Sequence, residues 1–180
     1  RAPVTAHIPP QNIEAEQFQY QANKECVFLL GPRYALLRRE FLHAKESKQI
    51  PPIGKKVLVT VGGSDPDGVT LKILGGLSRL KQPEMEVKIV VGPANPYAAE
   101  VKSTAAKSGL RCEILEASKE MPMLMAWADL AITAGGSTCM ELALMGVPFL
   151  VIALAENQKQ VMAGFANKGV AAALGWHADL

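Results

Sequence analysis

The stretch 128–148, ADLAITAGGSTCMELALMGVP, decides the fold because an apolar run, a glycine pair and a helical pattern follow one another in it. The apolar residues 130–133 predict a buried strand, and residues 137–145 carry the spacing of a helix closed by a glycine. Gly135 and Gly136 stand between the two elements, where the absence of side chains lets the backbone approach a ligand closely. The stretch therefore predicts one strand–turn–helix step of a parallel α/β sheet.

The same step recurs along the chain from residue 55 onward. Short apolar runs rich in Val, Ile and Leu predict further strands at 57–61, 87–91, 111–115, 149–153 and 170–173. Segments with apolar residues at helical spacing lie between the strands and predict helices at 68–80, 97–108, 121–128 and 158–167. Strands that alternate with helices imply βαβ units, so the expected fold class is α/β, a Rossmann-like parallel sheet with helices on both faces.

The residues that precede this pattern are less regular. Residues 1–24 are polar and contain three prolines, whereas 26–30 predict a short strand and 34–41 a short amphipathic helix. We predict that residues 1–45 are an interdomain linker or the trailing segment of a missing N-terminal domain, and that 46–180 form the Rossmann-like domain. Because the chain begins with arginine rather than methionine, we expect it to be a fragment of a longer protein.

Composition excludes several classes of function. The formal net charge is +2, from 19 basic and 17 acidic residues, and no basic cluster is interleaved with aromatic residues, so we expect no nucleic-acid partner. Three widely separated cysteines in apolar stretches indicate reduced thiols in the cytoplasm rather than disulfides or a zinc site. No apolar stretch is long enough for a membrane span, and we expect neither a metal nor another cofactor.

The loop 134–138 is the first candidate site. Free N–H groups at the start of the following helix suit a phosphate, and Ser137 is placed to cap that helix. Glu141 lies one turn later on the same face, where a carboxylate beside phosphate makes sense if it accepts hydrogen bonds from ribose hydroxyls. The alternative is an ordinary glycine turn with a serine cap, followed by a surface acid near the helix dipole.

Two further loops follow predicted strands. Residues 62–66, GGSDP, repeat the glycine turn, with Asp65 as a possible helix cap and the other positions as a second wall for phosphate or sugar. Residues 155–158 offer side chains that bind sugar hydroxyls, or else a plain helix start capped by Asn157. The glycine patterns of dinucleotide-binding and P-loop proteins are absent, and no histidine is paired with either serine as a hydrolase would need.

The order of these motifs resembles a known class of enzymes. The stretches 128–130, 134–138, 141–143, 146–148 and 156–158 resemble the sugar-nucleotide signature of GT-B enzymes such as the peptidoglycan UDP-N-acetylglucosamine transferase. Residues 30–38 with Phe41, and 62–66, more specifically resemble the UDP-sugar hydrolase of the pseudaminic acid pathway and its spore-coat polysaccharide relatives. The resemblance covers roughly 26–175.

This resemblance implies a UDP-sugar bound between two Rossmann-like domains, most of its nucleotide being held by residues 46–180. It places the diphosphate at Gly135, Gly136, Ser137 and Thr138, the ribose at Glu141, and the sugar or phosphates at Gln158, Glu156 and Asn157. It also places the uracil beside Ala117, Ser118 and Met121, and the opposite wall of the site at Gly63 and Ser64.

The resemblance does not supply a catalyst, because the hydrolase family's catalytic histidine belongs to an N-terminal loop with no counterpart here. The expected function is therefore that of the UDP-sugar-binding half of a bacterial nucleotide-sugar hydrolase in surface polysaccharide or nonulosonic acid biosynthesis. The expected partners are a UDP-sugar and the missing N-terminal domain. The alternatives are the C-terminal domain of a UDP-sugar-dependent glycosyltransferase, or a non-catalytic interaction domain of the same fold.

Overall fold

The computed structural model describes residues 6–7 (backbone only), 13–22, 24–41, 44, 49–116 and 120–180. Eight strands lie in these ranges: β1 Ala6–His7, β2 Val27–Phe28, β3 Lys56–Thr60, β4 Glu86–Val91, β5 Arg111–Glu116, β6 Leu130–Ala134, β7 Phe149–Ala153 and β8 Ala171–Trp176. Five α-helices alternate with the later strands: α1 Val69–Arg79, α2 Ala98–Lys107, α3 Met121–Trp127, α4 Thr138–Leu144 and α5 Glu156–Asn167.

Strands β3 to β8 form one parallel sheet in the order β5-β4-β3-β6-β7-β8. The chain builds outward from β3 through β4 to β5, then returns to pair β6 with the other edge of β3 and continues to β8. The strand order thus reverses between β3 and β6, which is the position where open α/β sheets bind ligands. Strands β1 and β2 pair with each other in a separate two-stranded sheet.

Helices cover both faces of the large sheet. Successive residues of β3 point to opposite faces, so that Val57 and Val59 join the apolar cluster of α1 and α2, whereas Leu58 joins that of α3, α4 and α5. The Rossmann-like α/β class expected from the sequence is confirmed. None of the helices in the described part of the chain has the length and apolarity to cross a bilayer.

The predicted helix at 34–41 is wrong. Two short 3-10 turns, Pro32–Tyr34 and Arg39–Phe41, stand there, and Ala35 between them has an extended backbone (φ −59°, ψ 130°). Tertiary packing overrides the local pattern, because Leu37 and Phe41 pack against the cluster of α3, α4 and α5 instead of forming one face of a helix. The predicted strand at 26–30 is also shorter in the structure, where only Val27–Phe28 pair.

Phe41 fastens this early segment to the Rossmann-like layer. Its side chain is 1% exposed and belongs to the cluster formed by α3, α4 and α5, with Leu37 and Ala44 packed against the same cluster. Leu37, Phe41 and Ala44 are therefore part of the hydrophobic core around these helices.

Replacing Phe41 with alanine should lower the free energy of unfolding by about 3–5 kcal/mol, because it empties a fully buried aromatic site. Chemical denaturation followed by circular dichroism measures this change. Ile53→Ala is the matched control, since Ile53 is 75% exposed and its loss should cost less than about 0.5 kcal/mol. Equal losses in the two variants would show that the segment does not contribute to the core.

Candidate functional site

The two glycine loops singled out in the sequence lie side by side at the switch in strand order. Thr60 near the end of β3 is in register with Thr133 near the end of β6, so residues 61–68 and 135–137 leave the sheet from adjacent strands. The helix after β3 packs on one face and the helix after β6 on the other. The loops therefore diverge at the carboxyl edge of the sheet, which is where open α/β sheets have their ligand-binding crevice.

Among the residues that the structure describes, two backbone amides of the β6–α4 loop have no hydrogen-bond acceptor. The N–H of Gly135 donates to the carbonyl of Ile152 (2.9 Å) and that of Gly136 to the carbonyl of Ala134 (2.7 Å). Within the described ranges no residue accepts from the N–H groups of Ser137 or Thr138. Ser137 occupies the N-cap position of α4 as predicted, but its side chain makes no capping hydrogen bond. The donors available to a ligand are thus the amides of Ser137 and Thr138.

Gly135 is required by close packing against α5. A Cβ placed on it would lie 2.9 Å from both the Cβ and the carbonyl oxygen of Gln158, closer than real Cβ atoms approach. Around Gly136, by contrast, a Cβ would meet no atom within 4 Å. Gly135 thus allows the β6–α4 loop to pack closely against the start of α5, whereas Gly136 leaves open space at the start of α4.

The polar residues at the β7–α5 turn differ in how far they are exposed. Gln158 is half-buried, and its side-chain oxygen accepts a hydrogen bond from the N–H of Leu154 (2.9 Å), which fixes the turn. Glu156 and Asn157 are exposed, and Glu156 pairs with Lys159 at 2.7 Å. The predicted cap by Asn157 is wrong, because α5 already begins at Glu156.

Glu141 is buried in an ion pair that the sequence analysis missed. Its side chain is 4% exposed, and its two oxygens accept hydrogen bonds from Nε (2.6 Å) and Nη2 (2.9 Å) of Arg38. The hydrogen bond to Glu141 raises the pKa of Arg38 from its ordinary value. Arg38 lies within the stretch 30–38 that carried the resemblance, but a partner 103 residues away leaves no local signal.

The β3–α1 loop forms the other wall of the crevice. Gly63 and Ser64 are exposed, and the Gly63 carbonyl accepts a hydrogen bond from the N–H of Ala94 (3.1 Å). The predicted role of Asp65 as a helix cap is confirmed. Its two carboxylate oxygens accept from the N–H groups of Val69 (2.8 Å) and Thr70 (3.0 Å). Asp65 holds this conformation despite a left-handed φ of 41°.

The remaining predicted site residues are the ones expected beside the uracil. Met121 is 5% exposed and belongs to the hydrophobic core, so its side chain is not available to a ligand. Ala117 and Ser118 lie outside the described residues. A cavity of about 770 Å³ lies away from the glycine loops, along α1 and beside Leu174 and Leu180.

Cys139 sits directly behind the β6–α4 loop as a structural thiol. It is fully buried and lies 3.3 Å from the carbonyl oxygen of Ala134. Burial raises the pKa of this thiol to about 12, so it is neutral at physiological pH. A neutral, buried thiol packs against the loop and is not a nucleophile.

Comparison with known proteins decides the family. Residues 56–177 match the model of the glycosyltransferase family 28 C-terminal domain. The chain belongs to this family. The matched residues begin with β3 and end after β8, so the whole six-stranded sheet of this family 28 domain is included.

Two curated relatives extend the comparison. The spore coat polysaccharide biosynthesis protein SpsG of Bacillus subtilis is 32% identical over 146 residues, which cover 81% of this chain and 43% of that protein. An uncharacterised protein of Methanocaldococcus jannaschii is 28% identical over 154 residues, 83% of this chain and 32% of that protein. The chain thus spans less than half the length of either relative.

Solved structures share the fold at low sequence identity. Acinetobacter baumannii MurG superposes with a TM-score of 0.59 at 18% identity, over 72% of this chain and 38% of that one. The glycotransferase of kitacinnamycin gives 0.58 at 20%, over 85% and 37%. The spinosyn rhamnosyltransferase SpnG, solved with thymidine diphosphate, gives 0.51 at 22%, over 71% and 35%. These matches place the family 28 domain among GT-B glycosyltransferase folds.

Gly135→Ala should destabilise the protein by about 1–3 kcal/mol, because the new methyl group forces α5 away from the β6–α4 loop. Gly136→Ala is the matched control and should have a smaller effect, because that position has open space. Thermal unfolding of the two variants measures the difference. Equal stability would mean that the approach of Gly135 to Gln158 is not a constraint on the fold.

Proposed function

We propose that this family 28 domain is the UDP-sugar-binding half of a nucleotide-sugar hydrolase that acts in bacterial surface polysaccharide or nonulosonic acid biosynthesis. The observation that carries the proposal is that the amides of Ser137 and Thr138 have no acceptor among the described residues, at the edge where β3 and β6 end side by side. The similarity to SpsG, named for spore coat polysaccharide biosynthesis, supports the biological setting.

The diphosphate is the part of the ligand that this crevice suits best. Two N–H groups point from the start of α4, where the helix dipole adds positive potential, and the space above Gly136 is open. Gly136 contributes to the proposed phosphate site by leaving this space open. Gly135 contributes by letting the loop pack closely against Gln158. The structural relative SpnG was solved with a nucleoside diphosphate, which agrees with this choice of ligand.

The other contacts extend outward from the diphosphate. Exposed Gly63 and Ser64 on the opposite wall offer an amide and a hydroxyl, and exposed Glu156 and Asn157 offer polar groups for sugar hydroxyls. Gln158 orients the β7–α5 turn between them through its bond to Leu154. We place the uracil beside the start of α3, against the backbone of Met121 and next to Ser118.

The reacting groups are proposed to come from a second, N-terminal Rossmann-like domain to which residues 1–45 lead. The chain spans 43% of SpsG, which leaves room in such a protein for a domain of that size. We assign no catalytic role to His177. Its ring packs on Trp176 (centroids 4.5 Å apart), its Nδ1 lies 3.6 Å from an Asp67 oxygen, and Lys72 bonds its carbonyl oxygen (2.7 Å).

A glycosyltransferase is the second candidate, and the family match itself favours it. A transferase delivers the sugar to a hydroxyl acceptor, whereas a hydrolase delivers it to water. Incubating the full-length protein with a UDP-sugar and no acceptor distinguishes the two, because only a hydrolase should release free sugar.

Ser137→Pro should weaken UDP binding by about tenfold or more, because proline deletes one of the two donor amides. The Ser137 φ of −59° suits proline, and no internal hydrogen bond is lost with that amide. Isothermal titration calorimetry of the full-length protein with UDP measures the change in affinity. Ser137→Ala is the matched control, since it removes only the hydroxyl and should lose less affinity. A folded proline variant that binds UDP as tightly as the alanine variant would contradict the phosphate site.

A further inference from the structure

We propose that Asn95, on the loop after β4, is a positioning residue for the nucleotide-sugar, because it holds the β3–α1 loop in the shape that this loop presents to the ligand. The inference rests on the proposed function, in which Gly63 and Ser64 of that loop form one wall of the site. It goes beyond that function by assigning the arrangement of the wall to a buried side chain on a neighbouring loop.

The β4–α2 loop, residues 92–97, lies directly against the β3–α1 loop. Strands β3 and β4 pair in parallel, so both loops leave the same edge of the sheet side by side. The N–H of Ala94 donates a hydrogen bond to the carbonyl oxygen of Gly63 (3.1 Å). A Cβ on Gly92 would lie 2.2 Å from that same oxygen, so only glycine allows the two backbones to approach this closely. The wall at Gly63 is therefore supported by the loop after β4.

Asn95 joins the two loops through the two ends of its side-chain amide. Its oxygen accepts a hydrogen bond from the N–H of Tyr97 (2.7 Å), which closes a turn within the β4–α2 loop. Its nitrogen donates to a carboxylate oxygen of Asp65 at 3.4 Å, a long hydrogen bond between the loops. Because Asn95 is 8% exposed, it can influence a ligand only through Asp65 and the wall.

Asp65 needs this support because its backbone is strained. Its φ of 41° lies in the left-handed region, which is unfavourable for a residue with a Cβ, although aspartate tolerates it better than most. Asp65 is 2% exposed, and its carboxylate accepts from Val69, Thr70 and Asn95. Such a conformation persists only where the surroundings fix it. Since Asp65 directly follows Ser64, the course of the backbone at Ser64 depends on the contacts that hold Asp65.

The wall is exposed, and a fixed loop presents it in one arrangement. Gly63 and Ser64 are both exposed, and a Cβ on Gly63 would meet no atom within 4 Å. A ligand that binds a fixed loop needs to order little of the chain. A loop released from Asn95 would have to be ordered by the ligand itself, which lowers the affinity without removing any group that contacts the ligand.

The test combines UDP affinity, measured by isothermal titration calorimetry of the full-length protein, with amide hydrogen exchange at Ala94. Asn95→Ser is the first variant, because a serine hydroxyl can still accept from Tyr97 but is too short to reach Asp65. It should weaken UDP binding about three- to tenfold, the effect of one lost hydrogen bond, and speed exchange at Ala94. Asn167→Ala is the matched control, an exposed asparagine at the end of α5 whose loss should change neither quantity.

Exchanging donor and acceptor tests the link between the loops itself. Asn95→Asp alone places a carboxylate oxygen where the amide nitrogen lies, 3.4 Å from the Asp65 oxygen, and should weaken UDP binding at least as much as Asn95→Ser. In combination with Asp65→Asn, an amide at position 65 again faces a carboxylate at position 95, so part of the lost UDP affinity should return. A residue that serves stability alone would shift the thermal midpoint of these variants without this pattern in UDP affinity.

UDP affinity equal to that of the unaltered protein in folded Asn95→Ser and Asn95→Asp variants would overturn the inference, and Asn95→Ser decides if Asn95→Asp does not fold. Weaker UDP binding with unchanged exchange at Ala94 would overturn it as well, because Asn95 would then act by a route other than the loop. Failure of the unaltered protein to bind UDP would overturn the proposed function, whereas the first two results arise in a protein that still binds UDP.

Discussion

The pairing of β3 with β6 is the constraint on which the rest of the structure depends. It joins two runs of strands that grow in opposite directions from the centre of the sheet, so the helices that follow these two strands must lie on opposite faces. The loops at their carboxyl ends separate as a result, and a crevice opens between them. The glycines of both loops are placed by this one register, in which Thr60 faces Thr133.

A second constraint ties the early segment to that crevice. Phe41 is buried in the layer of α3, α4 and α5, and Arg38 reaches from the same segment to Glu141 on α4. Removing one partner of such a pair leaves a buried charge uncompensated, so the two positions act together. The backbone that leads from the two-stranded sheet is thereby fixed relative to the helix that borders the crevice.

The regular part of the fold follows from local patterns. Strands from β3 to β7 are apolar runs and the helices between them carry apolar residues at helical spacing, so their types were predictable without knowledge of contacts. The cap by Asp65 was predictable for the same reason, because the carboxylate and the amides it accepts from lie within five residues of one another.

The features that decide the site depend on distant contacts. Nothing in the local sequence pairs Arg38 with Glu141, and Leu37 and Phe41 suggested a helix because the layer onto which they pack could not be foreseen. Gly135 was expected to allow the close approach of a ligand, whereas in the structure it allows the close approach of Gln158 at the start of α5. Which amides of the loop remain open likewise depends on the pairing of Gly135 with Ile152, a contact between strands.

A crystal structure of the full-length protein with UDP bound would show whether the open amides after β6 hold a pyrophosphate. We expect phosphate oxygens within hydrogen-bond distance of the N–H groups of Ser137 and Thr138, between the ends of β3 and β6. Density for UDP elsewhere, such as in the cavity beside α1 and Leu174, with those amides uncontacted, would contradict it.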